Sequence, residues 1–161
     1  HCIALVRTPQ LAPFIARVTR GDEAAGAALL ERIEALVGQA KITAWGVRVS
    51  AAGAPALHRA LMVEHATVTL DALLRDPSAR ERPLPAVPLL HLHAGERATL
   101  APAGDTELRA GDEVLFAGTN AARERLQQTL ENANVRDYVL LGRDIPGGIV
   151  WERLTGRARS A

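Results

Sequence analysis

Between Pro102 and Gly118 the chain reads PAGDTELRAGDEVLFAG, and this stretch constrains the fold more than any other. Leu108 is an apolar anchor, Gly111 supplies a backbone conformation that other residues reach only with strain, and Asp112 is able to bond its own turn. Val114-Leu115-Phe116 follows as a β-rich run suited to a buried strand. Two strands joined by a tightly specified turn are therefore expected here.

Around that unit the periodicities alternate. Leu29, Leu30, Ile33, Leu36 and Val37 recur at helical spacing between Asp22, a candidate N-cap, and Gly38, a candidate stop, which predicts a helix over Glu23–Val37. Its stripe suits packing within its own domain. Trp45, Val47 and Val49 alternate within Ile42–Ser50, as in a half-buried strand. Pro55 opens a second helix with Leu57, Leu61 and Met62 on its stripe, and Leu70, Leu73 and Leu74 suggest a helical turn before Pro77. This strand-helix-strand order is similar to the end of a doubly wound unit.

The Pro-rich segment Asp76–Pro88 reads as an exposed connection. Strands are expected over Ala86–His93, Arg97–Ala101 and Glu113–Gly118, then a helix capped by Asn120 with Ala122, Leu126 and Leu130 on one stripe. Val135–Leu141 reads as a last strand, and Pro146-Gly147-Gly148 breaks the chain after it. The fold class is α+β. A boundary near His65–Thr67 divides the chain into a partial α/β lobe (1–66), a second lobe (67–144) and a tail (145–161).

Composition narrows function by exclusion. The net charge of +1, with 19 basic and 18 acidic residues spread along the chain, offers no basic footprint for nucleic acid. Aromatic residues at 3% disfavour base-stacking platforms. The single cysteine, Cys2, cannot form an intramolecular disulfide, which fits a reducing cytoplasm. No apolar run approaches the about 18 residues of a membrane-spanning helix. The chain begins at His1 without Met and reads as a piece of something larger, whose membrane part would lie outside it. Trp45 and Trp151, the two indoles, suit either the core or an interface.

No G-x-G-x-x-G, G-x-x-x-x-G-K-[ST] or G-x-S-x-G occurs. His91-Leu92-His93 is the sharpest constellation, since residues two apart on a strand share a face and two imidazoles are able to share a divalent metal, with Glu96 as a third donor. The other reading puts Leu90 and Leu92 on the core side and both histidines on the exposed or interface side. His58 and His65 share a helical face beside Glu64, and no motif supplies a nucleophile for them; they read as surface or helix-end histidines. Asp105 and Asp112 read as turn formers rather than as an acid-base pair.

The pattern Pro102, Asp105, Leu108, Gly111-Asp112, Val114-Leu115-Phe116, Gly118 resembles the signature of the TrkA-type C-terminal domain. That domain is the second lobe of the RCK regulators of potassium channels and transporters. The likeness extends over about Thr67 to Leu130; where the family has a Ser-x-x-Gly helix start, this chain has Thr69-Leu70-Asp71-Ala72. The resemblance implies a TrkA-C-like lobe preceded by a partial RCK N-lobe-like segment (1–66) whose helices, Glu23–Val37 among them, serve dimerisation, and a non-enzymatic, ligand-sensing gating domain. It further implies a homo-oligomer, a dimer or higher, at the inner face of the cell membrane, acting on a channel or transporter subunit on the same or another polypeptide. The implied effectors are a nucleotide, a cyclic dinucleotide or a divalent cation. His91, His93, Arg97 and Arg109 are the candidate effector-binding residues, because imidazole and guanidinium groups suit phosphate or metal. The competing readings are a metal-dependent enzyme using His91, His93 and Glu96, and a ligand-free dimerisation module.

Overall fold

The computed structural model describes residues 6–7, 31, 42–93 and 98–143. Strands β1 (Val6–Arg7), β2 (Ile42–Arg48), β5 (Ala86–Leu92), β6 (Thr99–Leu100) and β7 (Glu113–Thr119) form one sheet in the order β1-β2-β7-β5-β6. A second, two-stranded sheet pairs β3 (Arg75–Asp76) with β4 (Ala79–Pro83). Among the described residues four helices have both ends defined: α1 (Pro55–Met62), α2 (Leu70–Leu73), α3 (Asn120–Glu131) and α4 (Ala133–Leu141). The class is α+β, and every strand pair among the described residues is antiparallel. That includes β2, where the strand-helix-strand order suggested a doubly wound, parallel arrangement.

β7 is the structural centre because it carries the apolar run and is paired on both edges, by β2 over Ile42–Arg48 and by β5 over Ala86–Leu92. Phe116, fully buried, stacks on its cross-strand partner Trp45 with ring centroids 6.0 Å apart, so this indole belongs to the core. Gly118 allows the sheet to close on the turn before β5: a Cβ there would stand 2.5 Å from the Pro85 carbonyl oxygen. Leu57 of α1, Leu70 and Leu73 of α2, and Ala122, Leu126 and Leu130 of α3 complete one core with Val47, Val114 and Phe116. The boundary expected near His65–Thr67 falls inside this core, since β2 and α1 pack with the elements that follow it.

Several local expectations change. α1 buries Ala56, Leu57 and Ala60 and leaves Met62 54% exposed, because α3 and α4 meet the small-residue face of the helix. Thr119, not Asn120, caps α3, its hydroxyl accepting from Ala122 N–H at 3.1 Å. Within Asp76–Pro88 the strands β3 and β4 form a hairpin that ends at Pro83, and β5 begins at Ala86. Asp76 is buried, accepting from Ser78 N–H at 2.8 Å and from Arg125 of α3. Arg80 of β4 donates to the Val139 and Leu140 carbonyls at the end of α4, at 2.8 and 3.2 Å. Arg80, Glu81, Arg82 and Pro83 are exposed, as expected, and the segment is fastened by Asp76 to α3 and by Arg80 to α4.

The strand expected over Val135–Leu141 is helix α4. Asn132 caps it, its Oδ1 accepting from Asn134 and Val135 N–H, and Gly142 ends it at φ 67°. Val135, Tyr138 and Val139 lie three and four residues apart and form the buried stripe. The helix expected over Glu23–Val37 lies outside the described residues apart from Glu31, which is helical and exposed. Trp151 and the 145–161 tail also lie outside them.

Candidate functional site

The Gly111–Asp112 turn forms, but it joins β7 to a loop and not to the second strand expected within this stretch: residues 102–110 make one isolated bridge, Thr69 with Glu107. Leu108 is buried and its N–H donates to the Val68 carbonyl at 2.8 Å, which anchors the incoming loop beside Thr69. Gly111 sits at φ 94°, and its N–H donates to the Val49 carbonyl; the Asp112 carbonyl accepts from Val49 N–H, so the turn continues the β2 ladder. A Cβ at Gly111 would meet nothing within 4 Å, which leaves backbone strain as the whole cost of a side chain. Gly111→Ala is accordingly expected to lower stability by about 1 to 2 kcal/mol in urea unfolding, with no change in the sheet's far-ultraviolet signature.

Asp112 is the hub of the site. It has no exposed surface, and its carboxylate closes the turn by accepting from Arg109 N–H at 2.8 Å on Oδ2. The same Oδ2 faces His91 Nε2 at 2.7 Å, and Oδ1 faces His93 Nδ1. An ionised carboxylate only accepts, so both rings must present N–H groups to it. Burial pushes the Asp112 carboxyl up; the bonds from His93 and His91, the Arg109 N–H and the charge interaction with His91 outweigh it and hold the group below its ordinary value.

The histidines reach Asp112 because β5 is irregular. Ala86 to Leu89 are buried without alternation, and the register against β7 shifts between Pro88 and Leu90. Beyond the shift His91 stands opposite Val114, a core residue, while Leu90 stands opposite half-buried Leu115. The reading that put Leu90 and Leu92 on the core side is therefore corrected. The two imidazoles turn toward the buried carboxylate, with side chains 11% and 23% exposed.

Of the four candidate effector residues, the structure brings His91, His93 and the Arg109 backbone together on Asp112. The Arg109 residue is exposed. Arg97 lies outside the described residues, as does Glu96, the third donor of the metal reading. Among the described residues no group of three or more His, Cys, Asp or Glu side chains is arranged to hold a metal. Asp105 is exposed and far along the loop from this cluster, and Glu64 pairs with Arg136 and Arg59 rather than with a histidine. Asp112's part in the turn was legible in the Gly-Asp pair. Its part as partner to both histidines was not, because it depends on the cross-strand register.

No helix among the described residues is long and apolar enough to cross a membrane. No protein-family model, curated protein or solved structure matches the chain.

Proposed function

We propose that the chain supplies a cytoplasmic, ligand-sensing regulatory lobe to a potassium channel or related cation transporter, and that it acts without catalysing a reaction. The observation that carries this reading is the use of the Pro102–Gly118 residues. Leu108, Gly111, Asp112, Val114 and Phe116 each do structural work, as anchor, turn, buried hub and core. A pattern spent on bracing the centre of a sheet makes a lobe that moves as a unit, which suits a gating element. A ligand that distinguishes two arrangements of such lobes biases them by its differential affinity, and a tenfold difference is worth about 1.4 kcal/mol. Assembly as a dimer or higher homo-oligomer, with the channel or transporter on the same polypeptide or another, belongs to the same proposal.

Thermal unfolding of the purified chain with nucleotides, cyclic dinucleotides and divalent ions tests it. A ligand that binds only the folded lobe should stabilise it by about 2.7 kcal/mol at one hundred times its dissociation constant. Stabilisation by none of them would leave a ligand-free dimerisation module and overturn the sensing role. Turnover of any panel compound would overturn the non-enzymatic one.

A further inference from the structure

The central sheet has two faces, and the four helices account for one. Cross-strand partners share a face, so Trp45 with Phe116 and Val47 with Val114 form the side on which α1, α2 and α3 build the core, and Leu140 of α4 packs against it. The opposite side is apolar as well. Ala44 stands opposite Ala117, Val87 pairs with Ala117 from the other edge, and Ile42 and Leu115 lie two residues along on the same side. None of these five belongs to the helix-covered core. Within one chain, however, Ala44 and Val87 are 2% exposed and Ala117 0%. A sheet face open to water would leave such side chains accessible, so the chain itself covers this side and needs no second copy to bury it.

The connections limit what the cover is. β1 and β2 are antiparallel neighbours, Arg7 opposite Thr43, and a tight hairpin would be enough to join them; the chain instead places residues 8–41 between them. That connection leaves and re-enters the sheet beside Ile42 and Ala44. Within it the sequence carries the apolar stripe of Glu23–Val37, and Glu31, the residue of it that the structure describes, is helical and exposed. At 3.6 residues per turn Glu31 stands about 160° from the middle of the Leu29, Leu30, Ile33, Leu36 and Val37 stripe, so an outward Glu31 turns that stripe inward. The lengths agree: a helix over Glu23–Val37 is about 22 Å long, and β2, with its 7 residues, about 23 Å. Gly38–Lys41 reaches about 13 Å, enough to pass from one layer of a domain to the next. The other segments fit less well. Residues 94–97 join β5 to β6 at the far end of the strands, and residues 144–161 follow α4, on the helix-covered side.

We propose that Glu23–Val37 docks on this second face as a helix antiparallel to β2, with Ile33 and Leu36 toward Ala44, Ala117 and Val87. The lobe is then a three-layer unit, with one helix on one side of the sheet and α1 to α4 on the other. A stripe occupied inside its own chain is not free to pair with a second copy. The dimerisation role that the resemblance implies for this helix therefore passes to another surface. That consequence rests on the homo-oligomer proposed above; the packing does not.

Nuclear Overhauser spectroscopy on the full wild-type chain, carbon-13-labelled at the Ala, Ile, Leu and Val methyl groups, reads these contacts directly. Cross-peaks are expected from Ile33 and Leu36 to Ala44, Val87 and Ala117, and Ile33→Ala should delete the Ile33 set while the Leu36 set remains. In a mixture of labelled and unlabelled chains, filtered for contacts between chains, none of these peaks should appear. Peaks found only between chains would make the cover a second copy and overturn the proposal. Peaks from Ala44, Val87 and Ala117 to residues 144–161, or to neither segment, would overturn it as well. If the contacts lie within one chain and sedimentation gives a monomer at every concentration, the homo-oligomer falls and the packing stands.

Discussion

Asp112→Ala is expected to lower the unfolding free energy at pH 7 by about 3 kcal/mol, read from the urea midpoint at unchanged slope. The substitution strips the acceptor from three donors at once, the Arg109 N–H and the inner N–H groups of His91 and His93. A buried donor left unsatisfied costs about 1 to 3 kcal/mol, but both rings are partly exposed and turn to water, so the three losses do not add in full. Asp112→Asn keeps the shape and still fails, because an amide offers one acceptor oxygen where the carboxylate offers two, and its NH2 would face an imidazole N–H. Asp105→Ala, on the exposed loop of the same stretch, is the control and should stay within about 0.5 kcal/mol of wild type. The effect also has a pH signature. In the folded chain Asp112 lies below its ordinary value of 3.8, so its contribution is fully present above that value and is lost as pH falls through the folded one. The gap between wild type and Asp112→Ala should therefore hold through mildly acidic pH and narrow only in strong acid. A gap that is already closed at pH 5 would show that the carboxylate is not held ionised by its partners.

The elements legible in the sequence are those whose own residues carry the signal. β7 shows it in Val114-Leu115-Phe116, α3 in Ala122, Leu126 and Leu130, and the turn between them and Leu108 in Gly111-Asp112; the structure places each as expected. α4 was misread because Val135 and the run Tyr138-Val139-Leu140-Leu141 favour strand by composition. The decisive information sits at its ends, in the cap at Asn132 and the left-handed Gly142. The site was half legible for a related reason. That Asp112 bonds its own turn is a local fact, three residues from Arg109. Its bonds to His91 and His93 span 21 and 19 residues and require a register shift at Pro88–Leu90 that no local pattern announces. The hairpin over Asp76–Pro83 was hidden in the same way, since Arg80 and Arg125 find their partners on other elements.

The same blindness to long-range partners hid Arg136, whose loss should be the other large one. Its guanidinium is 3% exposed and ties α4 to both ends of α1. One Nη donates to the Ala56 carbonyl at 2.7 Å, and the other reaches Glu64 at 2.9 and 3.1 Å and Asp137 at 2.5 Å. Removing one member of a buried ion pair commonly costs about 3 to 5 kcal/mol, because it strands the other charge. Here the carboxylates are partly in water, Glu64 at 38% and Asp137 at 29%, so the stranded charges are solvated and the expected cost of Arg136→Ala falls to about 2 to 3 kcal/mol. Two contributions make up that figure, and two further measurements separate them. Arg136→Met restores most of the packed stem between α1 and α4 and no charge, and should recover about half of the loss. A double-mutant cycle of Arg136→Met with Glu64→Gln should return a coupling of about 1 kcal/mol, weakened by salt as a half-exposed pair requires. Should Arg136→Met instead match wild type, the ion cluster would be neutral in net stability, its desolvation cancelling its attraction. Packing of the aliphatic stem would then be what joins α4 to α1.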